Sequence, residues 1–136
     1  DRFLTAQEPV FATAFAELRR GRKESHWMWF IFPQLRDLGR SATARHYGLS
    51  GLEEARMYLA HPVLGPRLVR VTEAVLAIQQ HSLFQIFGSP DDLKFRSCMT
   101  LFSHVVEDQR AYPFKQALER FCQGEPDKMT LQLISA

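Results

Sequence analysis

The sequence predicts an all-α fold, a compact orthogonal bundle of several short helices that forms one domain over residues 1–136. Two observations support this class. Apolar residues recur at helical intervals while no segment shows convincing strand alternation, and helix-capping residues follow one another at short spacing. A chain of 136 residues buries roughly two thirds of the surface that its unfolded form exposes, so it needs no disulfide or metal staple.

The helix boundaries are predicted from caps, prolines and glycines. Thr5 and Ser50 each precede a glutamate by three residues, which is capping-box spacing, and Ser41, Ser82 and Asp127 can cap further elements. The predicted elements are a helix from Thr5 to Gly21 with Pro9 in its first turn, an aromatic run from Ser25 to Gln34, a turn from Ser41 to Tyr47, a helix from Ser50 to His61, a long helix from Leu64 to Gln80, a turn from Ser82 to Gly88, a helix from Ser89, a helix from Pro113 to Gly124 and a terminal helix from Asp127 to Ile134.

The aromatic run holds both tryptophans of the chain, Trp27 and Trp29. Periodicity does not separate a short buried helix from a strand here, and we favour the helix, which a proline closes. A segment that is apolar on every side is expected to be buried, and a buried tryptophan needs a partner for its indole N–H. Because His26 and Gln34 stand at the polar edges of the run, we take it as a candidate site.

The helix predicted from Ser89 carries the second unusual feature. It has a serine cap, Pro90 at its first position and acidic residues in its first turn. At about 100 degrees per residue, Asp91 and Lys94 project into its apolar arc, with Ser97 on the border. The two charged residues can form a buried ion pair, or they can line a polar pocket where the helix N-terminus favours an anion.

Together these segments predict a pocket that binds or hydrolyses an anionic, ring-bearing small molecule, such as a nucleotide or an ADP-ribose-like compound. A tryptophan would stack on the ring, basic side chains would hold phosphate or carboxylate, and a general base would assist N-glycosidic hydrolysis. The candidate catalytic residues are His26 and Asp91. The candidate ligand-binding residues are Lys23, Ser25, Trp27, Gln34, Arg67, Lys94 and Ser97, whereas His61 is expected to serve a helix end.

Two other functions remain open. A protein-interaction module would expose part of the aromatic run as an anchor for a partner helix or peptide. RNA or single-strand binding would combine tryptophan stacking with the basic segment at residues 19–23. The formal charge of +2 is small and no basic–aromatic pattern repeats, which argues against nucleic acid. Basic residues after a helix also simply complement its dipole.

Several further classes lack their usual sequence features. No GxSxG, P-loop or GxGxxG motif occurs, so no cofactor is predicted, and the histidines and cysteines show no metal-ligand spacing. Cys98 and Cys122 are expected to be free thiols, and a cytoplasmic location is expected because no basic and apolar leader is visible. No apolar run approaches the roughly 20 residues that span a bilayer, so we expect no membrane segment.

Residues 21–34, 58–68 and 86–102 carry a resemblance to a known family. They are similar to the bacterial and fungal proteins grouped as domain of unknown function eighteen-ten (DUF1810), some of which carry the label calpastatin. The resemblance covers essentially the whole chain and implies a mainly helical domain without an established activity or catalytic residues. The calpastatin label receives no support, because that inhibitor is a long disordered chain whereas this sequence has abundant aromatic residues and regular helix signals.

Overall fold

The structure, a computed structural model, describes residues 1–135 and shows ten α-helices, one short 3-10 helix and no strand within that range. This confirms the all-α fold class. The helices are α1 (Arg2–Gln7), α2 (Phe11–Arg19), α3 (Met28–Ile31), α4 (Ala42–His46), α5 (Leu52–Ala60), α6 (Leu64–Leu76), α7 (Leu83–Phe87), α8 (Asp91–Ser103), α9 (Phe114–Cys122) and α10 (Lys128–Ser135), with the 3-10 helix Arg36–Leu38 between α3 and α4.

Helix α8 occupies the centre of the packing. It contacts α5, α7, α9 and α10, and every residue at positions 97–102 is buried. A helix that other helices surround must be largely apolar on all sides. The rings of Phe32, Phe87 and Phe95 lie against one another with centroids 5.1 to 5.7 Å apart. These rings belong to a continuous hydrophobic cluster with members from α1 to α9, so the N-terminal end of α8 is fixed within the core.

The first predicted helix is wrong, because the chain forms two helices there. The Asp1 carboxylate caps α1 by accepting a hydrogen bond of 2.7 Å from the backbone N–H of Phe3. The chain then turns before α2 begins at Phe11, and Pro9 lies between the two helices, where its ring removes a backbone donor. The predicted end of α2 is confirmed at Gly21, whose φ of +91° is a conformation that glycine adopts without strain.

Three other predicted caps are confirmed, since the side chains of Ser41, Ser82 and Asp127 each accept a hydrogen bond from the backbone three residues later. The predicted cap of α5 is wrong. Gly51 occupies the cap, and the backbone N–H of Ser50 donates to the carboxylate of Glu54 at 2.8 Å. The Glu54 carboxylate also forms an ion pair with Arg2 of α1, so it links two helices rather than capping one.

Two boundaries differ from the prediction without changing the elements. Helix α6 ends at Leu76 rather than near Gln80. Helix α8 begins at Asp91, and its cap position is occupied by Pro90, which follows a cis peptide bond, rather than by Ser89. The aromatic run contains one turn of helix, α3, as favoured from the sequence. Over residues 1–135, the helices are all too short or too polar to cross a membrane.

Candidate functional site

Asp91, the first residue of α8, lies between two lysines. Its Oδ2 atom is 3.0 Å from the ammonium nitrogen of Lys23, and its Oδ1 atom is 3.4 Å from that of Lys94. The three side chains are only 19%, 9% and 23% exposed, respectively. Bulk water therefore screens this Lys23–Asp91–Lys94 group only in part. One carboxylate faces two ammonium groups, which leaves the group with a formal surplus of one positive charge.

Each lysine of this group also lies over a tryptophan ring. The ammonium nitrogen of Lys23 is 5.3 Å from the ring centroid of Trp27, and that of Lys94 is 5.2 Å from the centroid of Trp29. Both distances fall within the range of cation–π attraction. The aromatic run and the start of α8, which the sequence singled out separately, are therefore in direct contact.

Glu17 of α2 holds the segment that carries Lys23. Its carboxylate is 3% exposed and accepts hydrogen bonds from the Ser25 hydroxyl at 2.5 Å, from the Trp27 indole at 2.9 Å and from the backbone N–H of Glu24 at 2.8 Å. Burial by itself would raise the pKa of Glu17, but these donors outweigh it and lower the pKa from 4.5 to about 2. Glu17 is therefore a charged anchor for residues 24–27.

Two predicted ligand-binding residues are occupied by this anchor. Trp27 is 1% exposed, so in this conformation its ring has no free face on which a ligand could stack. The hydroxyl of Ser25 is engaged by Glu17. The structure thus places both residues in the support of the site, beneath Lys23, rather than on a binding surface.

A cleft of about 510 Å³ opens beside Lys94, and we call it the Trp29 cleft. It brings together residues from the aromatic run, α4, α8 and the start of α10. Its size suits a small organic ligand. Its lining includes the predicted residues Gln34, Lys94 and Ser97, together with Trp29, Arg40, Ser41, Leu93, Asp127 and Met129.

A second cleft, of about 480 Å³, contains Lys23 and Phe84, and we call it the Phe84 cleft. Asp91 therefore joins a lysine of one cleft to a lysine of the other. The prediction that His26, Trp27, Asp91 and Lys94 share one cleft does not match the structure. Among residues 1–135, His26 is exposed and lines neither the Trp29 cleft nor the Phe84 cleft.

Arg67 is placed apart from the Lys23–Asp91–Lys94 group. Its guanidinium lies 3.1 Å from the carboxylate of Glu8 and stacks 4.9 Å from the ring centroid of Phe11. His61 has the structural role expected for it, because its Nδ1 atom accepts hydrogen bonds from the backbone N–H groups of Val63 and Leu64 at the start of α6. Both residues therefore stabilise junctions between helices.

The sequence analysis missed Glu17 although a signal was present. Glu17 follows Val10 by seven residues and Ala14 by three, so it projects into the apolar stripe of α2 as Asp91 and Lys94 do in α8. Arg40 and Ser41 carry no comparable signal, because only the tertiary fold brings them to the cleft. In the described part of the chain, no three side chains of His, Cys, Asp or Glu gather in a way that could hold a metal ion.

Comparisons with known proteins agree with this description. The crystal structure of the conserved hypothetical protein Rv1873 from Mycobacterium tuberculosis is similar to this one with a TM-score of 0.96 and 47% sequence identity, covering 99% of this chain and 95% of that chain. A search of the curated proteins finds no match. The family model described as "Protein of unknown function (DUF1810)" matches residues 1–134. The chain therefore belongs to the DUF1810 family, as its motifs indicated.

Proposed function

We propose that this protein binds a small anionic molecule that carries an aromatic ring, of the nucleotide or ADP-ribose class, in the Trp29 cleft. One observation carries the proposal: the half-buried side chain of Lys94 lines the cleft beside Trp29, and its ammonium shares its only carboxylate partner within residues 1–135 with a second lysine. A ligand phosphate at this point would meet a cation that is incompletely neutralised.

The charge of the cleft favours an anion. Arg40 is exposed and adds a second cation to the lining, which Lys94 already supplies. Asp127 is the acidic residue of the lining, and its carboxylate is engaged by the backbone N–H and the hydroxyl of Thr130. With Lys23 and Asp91 included, three cations face two carboxylates, so an anionic group would balance the charge.

The other parts of the lining suit a planar ring. Trp29 is half-buried, and Leu93 and Met129 expose 57% and 56% of their surface. An aromatic ring could stack on the indole and cover these apolar side chains. The side-chain amide of Gln34 can both donate and accept hydrogen bonds, which is what recognition of the edge of a base requires.

We propose binding without hydrolysis. A general base needs an oxygen or nitrogen within hydrogen-bond reach of the proton it removes. Asp91 lies between the two lysines and lines neither the Trp29 cleft nor the Phe84 cleft, so this residue positions the lysines. His26 also lines neither of these two clefts, so it cannot act as the base for a ligand bound in the Trp29 cleft.

A thermal-shift series tests the proposal, because a ligand that binds the folded state raises apparent stability by mass action. ADP-ribose, ADP and NAD are compared with adenosine, which has the ring alone, and with ribose phosphate, which has the anion alone. We expect the compounds with both features to raise the melting temperature most, in a dose-dependent way. The Lys94→Met variant, which keeps the aliphatic stem, should lose the rise.

The matched control is Lys115→Met, since Lys115 is an exposed lysine of α9 outside the Trp29 cleft. An equal rise in wild type, Lys94→Met and Lys115→Met would contradict the assigned site. No rise with any compound would contradict the ligand class. That second result would favour a protein-interaction module, in which the exposed Leu93 and Met129 receive an apolar side chain of a partner.

A further inference from the structure

Positive charge is concentrated in two clefts that adjoin at His81. The first, of about 650 Å³, lies between α2 and α6, and we call it the arginine cleft. Its lining includes Arg19, Arg20 and Arg70. The second is the Phe84 cleft, whose lining includes Arg22 and Lys23. His81 lines both clefts, so their surfaces are continuous.

Little negative charge opposes these cations. Glu73 is the acidic residue in the described lining of the arginine cleft, and the described lining of the Phe84 cleft contains no acidic residue. Arg20 has a partner in Glu24 at 3.8 Å, but both side chains are more than half exposed, so the pair is weak. Lys23 is held by Asp91. The arginines consequently remain available to an external anion.

Aromatic rings accompany the charges in both clefts. Phe84 is 63% exposed, which leaves most of its ring open to solvent in the Phe84 cleft. The capping box of Ser82 and Gln85 fixes the turn of α7 on which Phe84 stands. In the arginine cleft the guanidinium of Arg70 lies 4.5 Å from the ring centroid of Phe15. A single exposed phenylalanine is common on a protein surface, but this one stands in the same cleft as Arg22 and Lys23, where a nucleic-acid base could stack on it.

We propose that the arginine cleft and the Phe84 cleft together bind single-stranded nucleic acid. The arginines would contact successive phosphates, and Phe84 would stack on a base. A positively charged groove with an accessible aromatic face is the arrangement by which proteins bind single strands without reading their sequence. An acidic chain without apolar side chains, such as polyglutamate, could use the same charges but would leave Phe84 uncovered. A duplex would offer phosphates without free base faces.

The sequence argued against nucleic acid because its formal charge is only +2 and no basic–aromatic pattern repeats along the chain. The fold brings basic and aromatic residues together from distant positions, since Arg70 comes from α6 and Phe84 from α7. This proposal uses different clefts from the small-molecule proposal. Lys23 contributes to both arguments and is therefore left unchanged in the test.

Fluorescence anisotropy of a labelled oligouridylate of about 12 nucleotides, titrated between about 50 and 200 mM salt, tests the proposal. We expect binding that weakens with salt. Arg22→Ala and Arg70→Ala should each reduce the slope of log affinity against log salt by about 0.7, because each removes one phosphate contact. Phe84→Ala should weaken binding by about tenfold at every salt concentration and leave that slope unchanged.

The matched controls are Arg45→Ala and Met57→Ala. Arg45 is an exposed arginine outside both clefts, and Met57 is 65% exposed, nearly as much as Phe84. Both variants should bind like the wild type. Absence of binding at low salt would overturn the proposal. Two other results would overturn it as well. One is a duplex that binds as tightly as the oligouridylate, and the other is polyglutamate that does so, in each case with an affinity that Phe84→Ala leaves unaltered.

Discussion

Replacing Glu17 by glutamine tests how the segment that carries Lys23 is held. The substitution keeps the size of the side chain but removes its charge, and it turns one acceptor into a donor that faces other donors. Glutamine thus mimics the protonated acid. The wild-type carboxylate has a pKa of about 2 in the folded protein against 4.5 ordinarily, which corresponds to about 3 kcal/mol of stability at neutral pH.

The dependence on pH follows from the direction of that difference. Because folding lowers the pKa of Glu17, its contribution is fully present above pH 4.5 and is lost as the pH falls towards 2. Urea unfolding of wild type and Glu17→Gln, measured from about pH 7 down to about pH 3, gives the difference in unfolding free energy at each pH. We expect about 3 kcal/mol near neutrality and a steadily smaller difference in acid.

The control is Glu53→Gln, because Glu53 is 81% exposed and its one ion-pair partner within residues 1–135 is an arginine one turn away on α5. A surface change of this kind should alter stability by no more than about 0.5 kcal/mol. The reasoning would be refuted by a Glu17→Gln effect as small as that of the control. A large effect that stays constant from neutral to acid pH would also refute it, since it would come from packing and not from the charge.

Two further predictions concern the core. In Gly65→Ala the new Cβ would lie 2.0 Å from the backbone oxygen of Leu59, so we expect this variant to lose about 1 to 3 kcal/mol in urea unfolding. In Gly51→Ala the new Cβ meets no atom within 4 Å, and we expect a loss of less than about 1 kcal/mol, which is the cost of alanine at the cap of α5. Equal effects would contradict the close contact of α5 and α6. Cys98 and Cys122 are both buried, and burial raises the pKa of Cys98, so neither thiol should react with a disulfide reagent until the protein unfolds. Rapid labelling of the native protein would contradict this.

The fold class could be predicted because local signals agreed with the final packing. The caps at Ser41, Ser82 and Asp127 act within three residues, so tertiary structure had little opportunity to override them. The start of the first helix was predicted wrongly because a competing local cap lies nearer the beginning of the chain. Thr5 has the spacing of a cap, but Asp1 stands at the true start of the helix, and its carboxylate accepts a hydrogen bond from the backbone N–H of Phe3.

The candidate site could be predicted only in part. A charged residue in an apolar stripe must find a partner, which is why Asp91 and Lys94 were identified from spacing alone. Which partner it finds depends on the fold, and Lys23 comes from a loop that precedes α3. The two tryptophans look equivalent in the sequence. Their roles differ because the Glu17 carboxylate binds one indole and leaves the other beside the cleft.

Tryptophan fluorescence tests the central claim most directly, because the protein has two tryptophans and one of them lines the Trp29 cleft. Titration with ADP-ribose, corrected for absorption by the ligand, should quench wild-type emission to a saturating value. The Trp29→Phe variant keeps a ring in the cleft and the buried Trp27 as its remaining fluorophore, so its emission should stay unchanged. Unchanged wild-type emission, or equal quenching in both proteins, would contradict a ligand site at Trp29.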